Sequence, residues 1–273
     1  MNIACGVIQM NSGRDREENL RRAGELIGRA AGGGAEIIAL PENFAFMRGS
    51  DKDRPAGEDL EGAIISWARE TARREGVYLL AGSFPERSAI PGKVYNTSVL
   101  LGPEGEIIAA YRKIHLFDGS IPGGEIHRES ARVLPGREAV VAEAKPAWMG
   151  LTICYDLRFG ALYRRLADLG ALIIFSPAAF TEQTGEAHWE VLIRARAIEN
   201  QVFMIAPAQQ GNHPDGRRTY GHSMIVDPWG TVLALIPEGV DVAVASLDLK
   251  KQAKIRKAMP FREHRARIGE NLI

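Results

Sequence analysis

The amino-acid sequence predicts a layered α/β fold, a sandwich with mixed sheets, formed by one domain over residues 1–273. Three observations carry that expectation. Helix and strand patterns alternate at both ends of the chain, the rhythm of parallel-sheet units. Between them lie strand runs separated by short turn signals, the rhythm of hairpins, so the sheets are mixed rather than purely doubly wound. No repeat, low-complexity tract or linker divides the chain.

Residues 3–9 form an apolar run of strand length. Residues 16–31 carry Leu20, Ala23, Ile27 and Ala30 at helical spacing. Gly32-Gly33-Gly34 follows that helix and precedes a strand at 37–40. A dinucleotide loop follows a strand and opens a helix, so this run is a helix C-cap. A helix over 60–75 and a strand over 77–83 come next. Strands at 94–101 and 106–111 are joined by Gly102-Pro103-Glu104-Gly105, a hairpin signal. Strands at 139–144 and 149–153 continue the β character. A helix from about 164 to 169, a strand at 172–176, a helix at 186–199 and a strand at 201–206 restore the alternation. Strands at 222–226, 231–235 and 242–247 and a helix from about Leu249 complete the chain.

Composition narrows the function classes. The 34 basic and 34 acidic residues balance to a net charge of zero without a long like-charge block, which argues against nucleic acid or a membrane as main partner. The densest basic run, Lys250, Lys251, Lys254, Arg256 and Lys257, reads as a solvated helix face. The first residues lack a charged leader with a long apolar core, and no stretch reaches the ~20 apolar residues of a membrane helix. With only Cys5 and Cys154, neither a disulfide framework nor a zinc knuckle is expected. A reducing cytoplasm is the expected compartment. None of the six histidines forms a His-x-x-x-His pair, and no metal or organic cofactor is expected.

Three residues carry acyl-transfer potential. Cys154 directly follows an apolar strand, with helix pattern soon after Arg158. Backbone N–H groups at such a turn stabilise a thiolate and receive an oxyanion. Cys5, inside the first strand, belongs to the core. Glu42 closes the strand that ends at Leu40-Pro41, where open α/β sheets gather functional groups. Lys113 stands between apolar flanks. Taken singly, these read more readily as a structural cysteine, a loop glutamate and a snorkelling lysine. Together they make a mechanism, with glutamate as proton acceptor and lysine as fixed charge for an oxyanion. Spacing alone does not show that they meet.

At these residues the chain resembles the nitrilase superfamily, whose signature is a Glu–Lys–Cys triad. Leu40-Pro41-Glu42-Asn43, Tyr111-Arg112-Lys113-Ile114-His115-Leu116-Phe117-Asp118 and Gly150-Leu-Thr-Ile-Cys154-Tyr-Asp-Leu-Arg-Phe are similar to its three motifs, in the right order. Arg128-Glu129-Ser130, Ala187-His188-Trp189-Glu190 and the segment Tyr220 to Gly230 are similar to the Nit branch. The resemblance implies a four-layer α-β-β-α sandwich. It also implies a homodimer or higher homo-oligomer, packed through the helices after the cysteine strand and around 186–199.

It further implies hydrolysis of a linear amide in a small carboxylated substrate, with ammonia leaving. Deaminated glutathione is the first expectation, an omega-amide of a keto acid the second, an N-carbamoyl amino acid the third. Loss of a triad residue would favour an idle scaffold of the same fold, but all three are present. By the same resemblance Glu129 is a fourth active-site residue. Arg158 binds a substrate carboxylate through its guanidinium fork, with an ion pair to Asp156 as the structural alternative. Tyr155 supplies a backbone N–H to the oxyanion, and Phe180, Thr184 and Tyr220 are pocket positions, with packing against or capping the helix that begins near Glu186 as the alternative for Phe180 and Thr184.

Overall fold

Strand alternation sets up the layering. In β1 (Asn2–Gln9), Ile3, Cys5 and Val7 join one core, while Ile8 joins a second with Ala23, Leu26 and Ile27, as a period of two requires. The computed structural model describes residues 1–47, 57–120, 126–145, 147–214 and 216–265. After β1 come α1 (Arg16–Gly32), β2 (Ile37–Ala39), α2 (Ala63–Glu75), β3 (Tyr78–Leu80), β4 (Phe84–Arg87), β5 (Val94–Leu101) and β6 (Ile107–Arg112). A small hairpin of β7 (Asp118–Ser120) and β8 (Ile126–Arg128) precedes β9 (Val140–Ala144) and β10 (Ala147–Leu151). There follow α3 (Gly160–Asp168), β11 (Ile173–Phe175), α4 (Glu182–Asn200), β12 (Phe203–Ala206), β13 (Gln210–Asn212) and β14 (Arg218–Tyr220). The chain continues through β15 (Ser223–Val226), β16 (Val232–Ile236), β17 (Asp241–Asp248), α5 (Leu249–Ala258) and α6 (Phe261–Arg265).

One sheet runs β17-β1-β2-β3-β5-β4, with β6 on the free edge of β5. The other runs β16-β15-β12-β11-β10-β9. Each has three parallel strands at its centre, β1–β2–β3 and β10–β11–β12, flanked by antiparallel ones. The sheets face each other through a shared core that includes Cys5, Leu80, Leu100, Met149, Phe175 and Met204. Helices α1 and α2 cover the first sheet, α3 and α4 the second. This is the four-layer α-β-β-α sandwich expected from the resemblance, and Cys5 is core as expected. Each large apolar side chain buried there stabilises the fold by about 1.5–3 kcal/mol.

The glycine run after α1 is a cap. Gly33 N–H donates to Arg29 O at 3.0 Å, and Gly34 takes φ +85°, which only glycine adopts without strain. Some boundaries differ from expectation. α2 begins at Ala63 rather than 60, because Glu58 caps its first turn by accepting Ile64 N–H. α3 begins at Gly160, and α4 at Glu182 with Thr181 in extended conformation before it. The basic run on α5 is also more than a solvated face. Arg256 donates to the carbonyls of Gln201 and Ala171, and Lys251 pairs with buried Asp227 at 2.7 Å, so the run ties α5 to the second sheet. Among the described residues no helix is long and apolar enough to cross a membrane.

Candidate active site

The parallel strands of both sheets end on the same side of the molecule, and the tails of β2 and β10, with that of the antiparallel strand β6, build the site. Past β2, Leu40 N–H still donates to Leu80 O at 3.0 Å, and the chain runs on through Pro41 to Glu42. The Pro41 carbonyl lies so close to Gly82 that a Cβ at residue 82 has no room. Gln209, beyond β12, fixes the Glu42 carbonyl through its Nε2 at 3.0 Å. Glu42 ends up only 4% exposed.

Past β10 the chain makes a sharp turn, a 3-10 helix over Cys154–Arg158. Cys154 sits at φ +48°, a left-handed conformation that costs an L-residue about 1–2 kcal/mol. Two anchors hold it there. Cys154 N–H donates to Pro177 O at 2.9 Å, beyond the end of β11. Fully buried Asp156 accepts from Ile153 N–H at 2.9 Å, from Tyr111 Oη at 2.7 Å and from His115 N–H at 3.0 Å. The Cys154 N–H is thus committed, and the Tyr155 N–H is the next donor at the start of the turn.

Lys113 follows β6, its N–H donating to Asn96 O at 2.9 Å, and it is 2% exposed. Its Nζ lies 3.2 Å from Glu42 Oε1 and 3.0 and 2.9 Å from the two oxygens of Glu129. Glu129 begins a 3-10 turn after the β7–β8 hairpin, and its Oε2 also accepts from Phe117 N–H at 2.7 Å. Asn96, in β5, donates from Nδ2 to Glu42 Oε1 at 2.9 Å.

Burial pushes the Cys154 thiol well above its ordinary range, and the negative charge of Glu42 adds to that rise. Lys113 and the Ala179 backbone N–H oppose it without prevailing. For Lys113, burial favours the neutral amine, but the charges of Glu129 and Glu42 outweigh it and hold the ammonium well above its usual range. The resting arrangement is therefore a protonated thiol hydrogen-bonded to Glu42, beside a permanently charged lysine.

A cavity of about 210 Å³ opens onto Glu42, Lys113, Glu129, Cys154 and Asn96. Phe46, Met47, Val94, Phe117 and Val133 form apolar walls, and Arg128, Arg132 and Arg217 bring positive charge. The other sequence-chosen residues do not line it. The Arg158 guanidinium is seated 5.6 Å from the Tyr155 ring centroid and 5.1 Å from that of Phe180, with Nη1 3.2 Å from His188 Nδ1. Among the described residues it pairs with no carboxylate, so the alternative ion pair with Asp156 is corrected. Tyr155 packs against Phe117 and Phe159. Phe180 packs on Trp189. Thr184 hydrogen-bonds Thr181 at the start of α4. Tyr220 stacks on His222 and covers Gly185.

Sequence reasoning missed Asn96 and the three arginines. Asn96 left a readable signal, since Asn96-Thr97-Ser98 is a polar run inside an otherwise apolar strand and all three are buried. Arg128 ends β8 beside Glu129, inside a segment already compared with the Nit branch, whereas Arg132 and Arg217 lie outside strands and helices and left no signal.

A thiol and a carboxylate at the carboxyl ends of parallel strands, joined by a lysine after β6 and a second carboxylate after the β7–β8 hairpin, on an α-β-β-α sandwich, define a nitrilase-type hydrolase. The chain belongs to the carbon–nitrogen hydrolase family, whose model matches residues 5–257, and is a hydrolase of carbon–nitrogen bonds other than peptide bonds. It is 43% identical over 264 residues to a Synechocystis protein named deaminated glutathione amidase, covering 96% of this chain and 97% of that one. It is likewise 43% identical over 264 residues to the bovine protein of that name, covering 95% and 80% of the two chains. Among solved structures, Nit3 of Saccharomyces cerevisiae, a member of branch 10 of the nitrilase superfamily, aligns with a TM-score of 0.84 at 30% identity, covering 95% and 94%.

Proposed function

We propose that this protein is a cysteine amidase acting on deaminated glutathione. The observation that carries the reading is the cavity that Glu42, Lys113 and Cys154 line together, with Lys113 Nζ 3.2 Å from Glu42 Oε1 and the Glu42 charge acting on the Cys154 thiol. Cys154 attacks the amide carbonyl as its proton passes to Glu42, and a carbon–sulfur bond forms. Lys113 and the Tyr155 N–H hold the oxyanion. Glu42 returns the proton to the nitrogen, the carbon–nitrogen bond breaks, and a thioester remains. Glu42 then takes a proton from water, which attacks the thioester and frees the acid and the thiol.

Glu129 positions Lys113 rather than moving protons, because both its oxygens are held by the lysine and one also by Phe117 N–H. That saturation supports the positioning role, which the sequence left open.

Deaminated glutathione corrects one expectation. Its scissile nitrogen belongs to cysteinylglycine, so that dipeptide leaves, and ammonia leaves only from primary amides. The arginines lining the cavity favour a substrate that carries carboxylates.

The test is product release from deaminated glutathione, α-ketoglutaramate, N-carbamoyl-β-alanine and a simple nitrile, with Cys154→Ala as control. Selective cysteinylglycine release that Cys154→Ala abolishes supports the reading. Silence across the panel, with Cys154 unreactive to iodoacetamide, overturns it.

We further infer one catalytic domain that works as a homodimer in a reducing cytoplasm. Both cysteines are free. Val191 and Ile198 on α4 are exposed one heptad apart, Gly230 lies against Ile198, and neighbouring Trp229 is exposed too. That apolar patch is where the family resemblance puts the dimer contact.

A further inference from the structure

Asn96 lies on β5 opposite Pro85 of β4, and it meets the catalytic groups through both backbone and side chain. Its carbonyl accepts from Lys113 N–H at 2.9 Å. Its Nδ2 donates to Glu42 Oε1 at 2.9 Å and reaches Glu129 Oε1 at 3.5 Å. Chemistry fixes which way the amide points. Only the NH2 end can donate to carboxylates, and the flipped amide would set an oxygen against two of them.

That orientation leaves Oδ1 buried and, among the described residues, without a hydrogen-bond partner. Buried unpaired carbonyls are costly and uncommon in native proteins. A site that keeps one is using the other end of the amide.

We propose that Asn96 is a positioning residue for the reaction: its Nδ2 fixes Glu42 Oε1, so that the remaining carboxylate oxygen faces the Cys154 thiol. The proposal rests on Glu42 being the base. Lys113 alone does not fix that carboxylate. It is shared with both oxygens of Glu129, and its contact with Glu42 is the longest of its three, at 3.2 Å. Through its backbone bond to Lys113, the same residue also sets the distance between base and cation.

Two variants test this. Asn96→Leu keeps the bulk and removes both polar ends, and Asn96→Asp keeps the shape and replaces the donor by a third carboxylate. Three quantities are read: kcat and KM on deaminated glutathione, the melting temperature, and the rate at which iodoacetamide alkylates Cys154, located by mass spectrometry. For Asn96→Leu, kcat and the alkylation rate fall together about 10- to 100-fold, as expected for one hydrogen bond to a charged group. KM stays within about threefold. The melting temperature stays within about 4 °C, because the lost donor bond is offset by removal of the orphaned Oδ1. Asn96→Asp loses more kcat than Asn96→Leu.

Alkylation and kcat both within about threefold of wild type would overturn the proposal. So would losses that appear only alongside a collapse of the melting temperature. If the wild-type protein releases no product from any amide, the amidase reading fails, and the alkylation comparison still decides on Asn96.

Discussion

The Cys154 thiol is held protonated at rest by burial and the Glu42 charge, and under the proposed mechanism this separates it from enzymes that rest as a thiolate–imidazolium pair. Together they hold the thiol well above its ordinary range. Ultraviolet titration at 240 nm, as the difference between wild type and Cys154→Ala, should therefore show no thiolate step below about pH 9. The Glu42→Gln variant makes the sharper prediction. Removing that negative charge leaves Lys113 beside the sulfur, so the thiol ionises at lower pH than in wild type, yet turnover falls by about 10²-fold or more because the proton acceptor is gone. A variant that is more acidic at sulfur and still active would contradict the assignment of Glu42.

Asp156 supports the turn in a different way. Replacing it by alanine strands the Ile153 and His115 N–H groups and the Tyr111 hydroxyl. Asp156→Ala should lose about 3 kcal/mol of stability and melt roughly 6–12 °C lower.

At the scale of elements, the site depends on strand tails rather than on the strands themselves. Gly82 is the packing surface for the tail that carries Glu42, and it sits at φ +29° with no room for a side chain. Gly82→Ala should cost about 1–3 kcal/mol through overpacking, and kcat should fall more than KM rises as Glu42 is displaced. Unchanged kinetics would mean that the tail is not held there.

The long amphipathic helices and apolar strands were legible because burial writes a period of 3.6 or 2 into the sequence. Glu42, Lys113 and Cys154 were legible through their motifs, and their convergence required the fold. β4 was not, since Pro85 interrupts its run and it lies at the sheet edge. The β7–β8 hairpin is short and mostly exposed, so no alternation marks it. Arg158, Phe180 and Thr184 were drawn from the Nit branch, and the structure engages them with one another's neighbourhood instead. Arg132 and Arg217 reach the cavity from positions that no local pattern distinguishes from surface arginines, and Arg128 does so from beside Glu129 in a segment read for Glu129 alone.

At the scale of the molecule, the two sheets place the carboxyl ends of their parallel strands together, so the Glu42 carboxylate and the Cys154 thiol come from different sheets. Glu42 follows β2 of the first and Cys154 follows β10 of the second. Shifts between the sheets therefore act directly on the distance between them. Val191 and Ile198 on α4, with Trp229 in the neighbouring β15–β16 turn, form the exposed patch, and Val191→Glu with Ile198→Glu should convert the proposed dimer into a monomer by light scattering. An unchanged mass would place the contact elsewhere.

The measurement that tests the central claim most directly is the release of cysteinylglycine and α-ketoglutarate from deaminated glutathione by the purified protein, run beside Cys154→Ala. The account predicts equimolar release of the two products by wild type and none by the variant. Release that persists in Cys154→Ala would contradict it, as would a fully folded wild type that leaves the substrate intact.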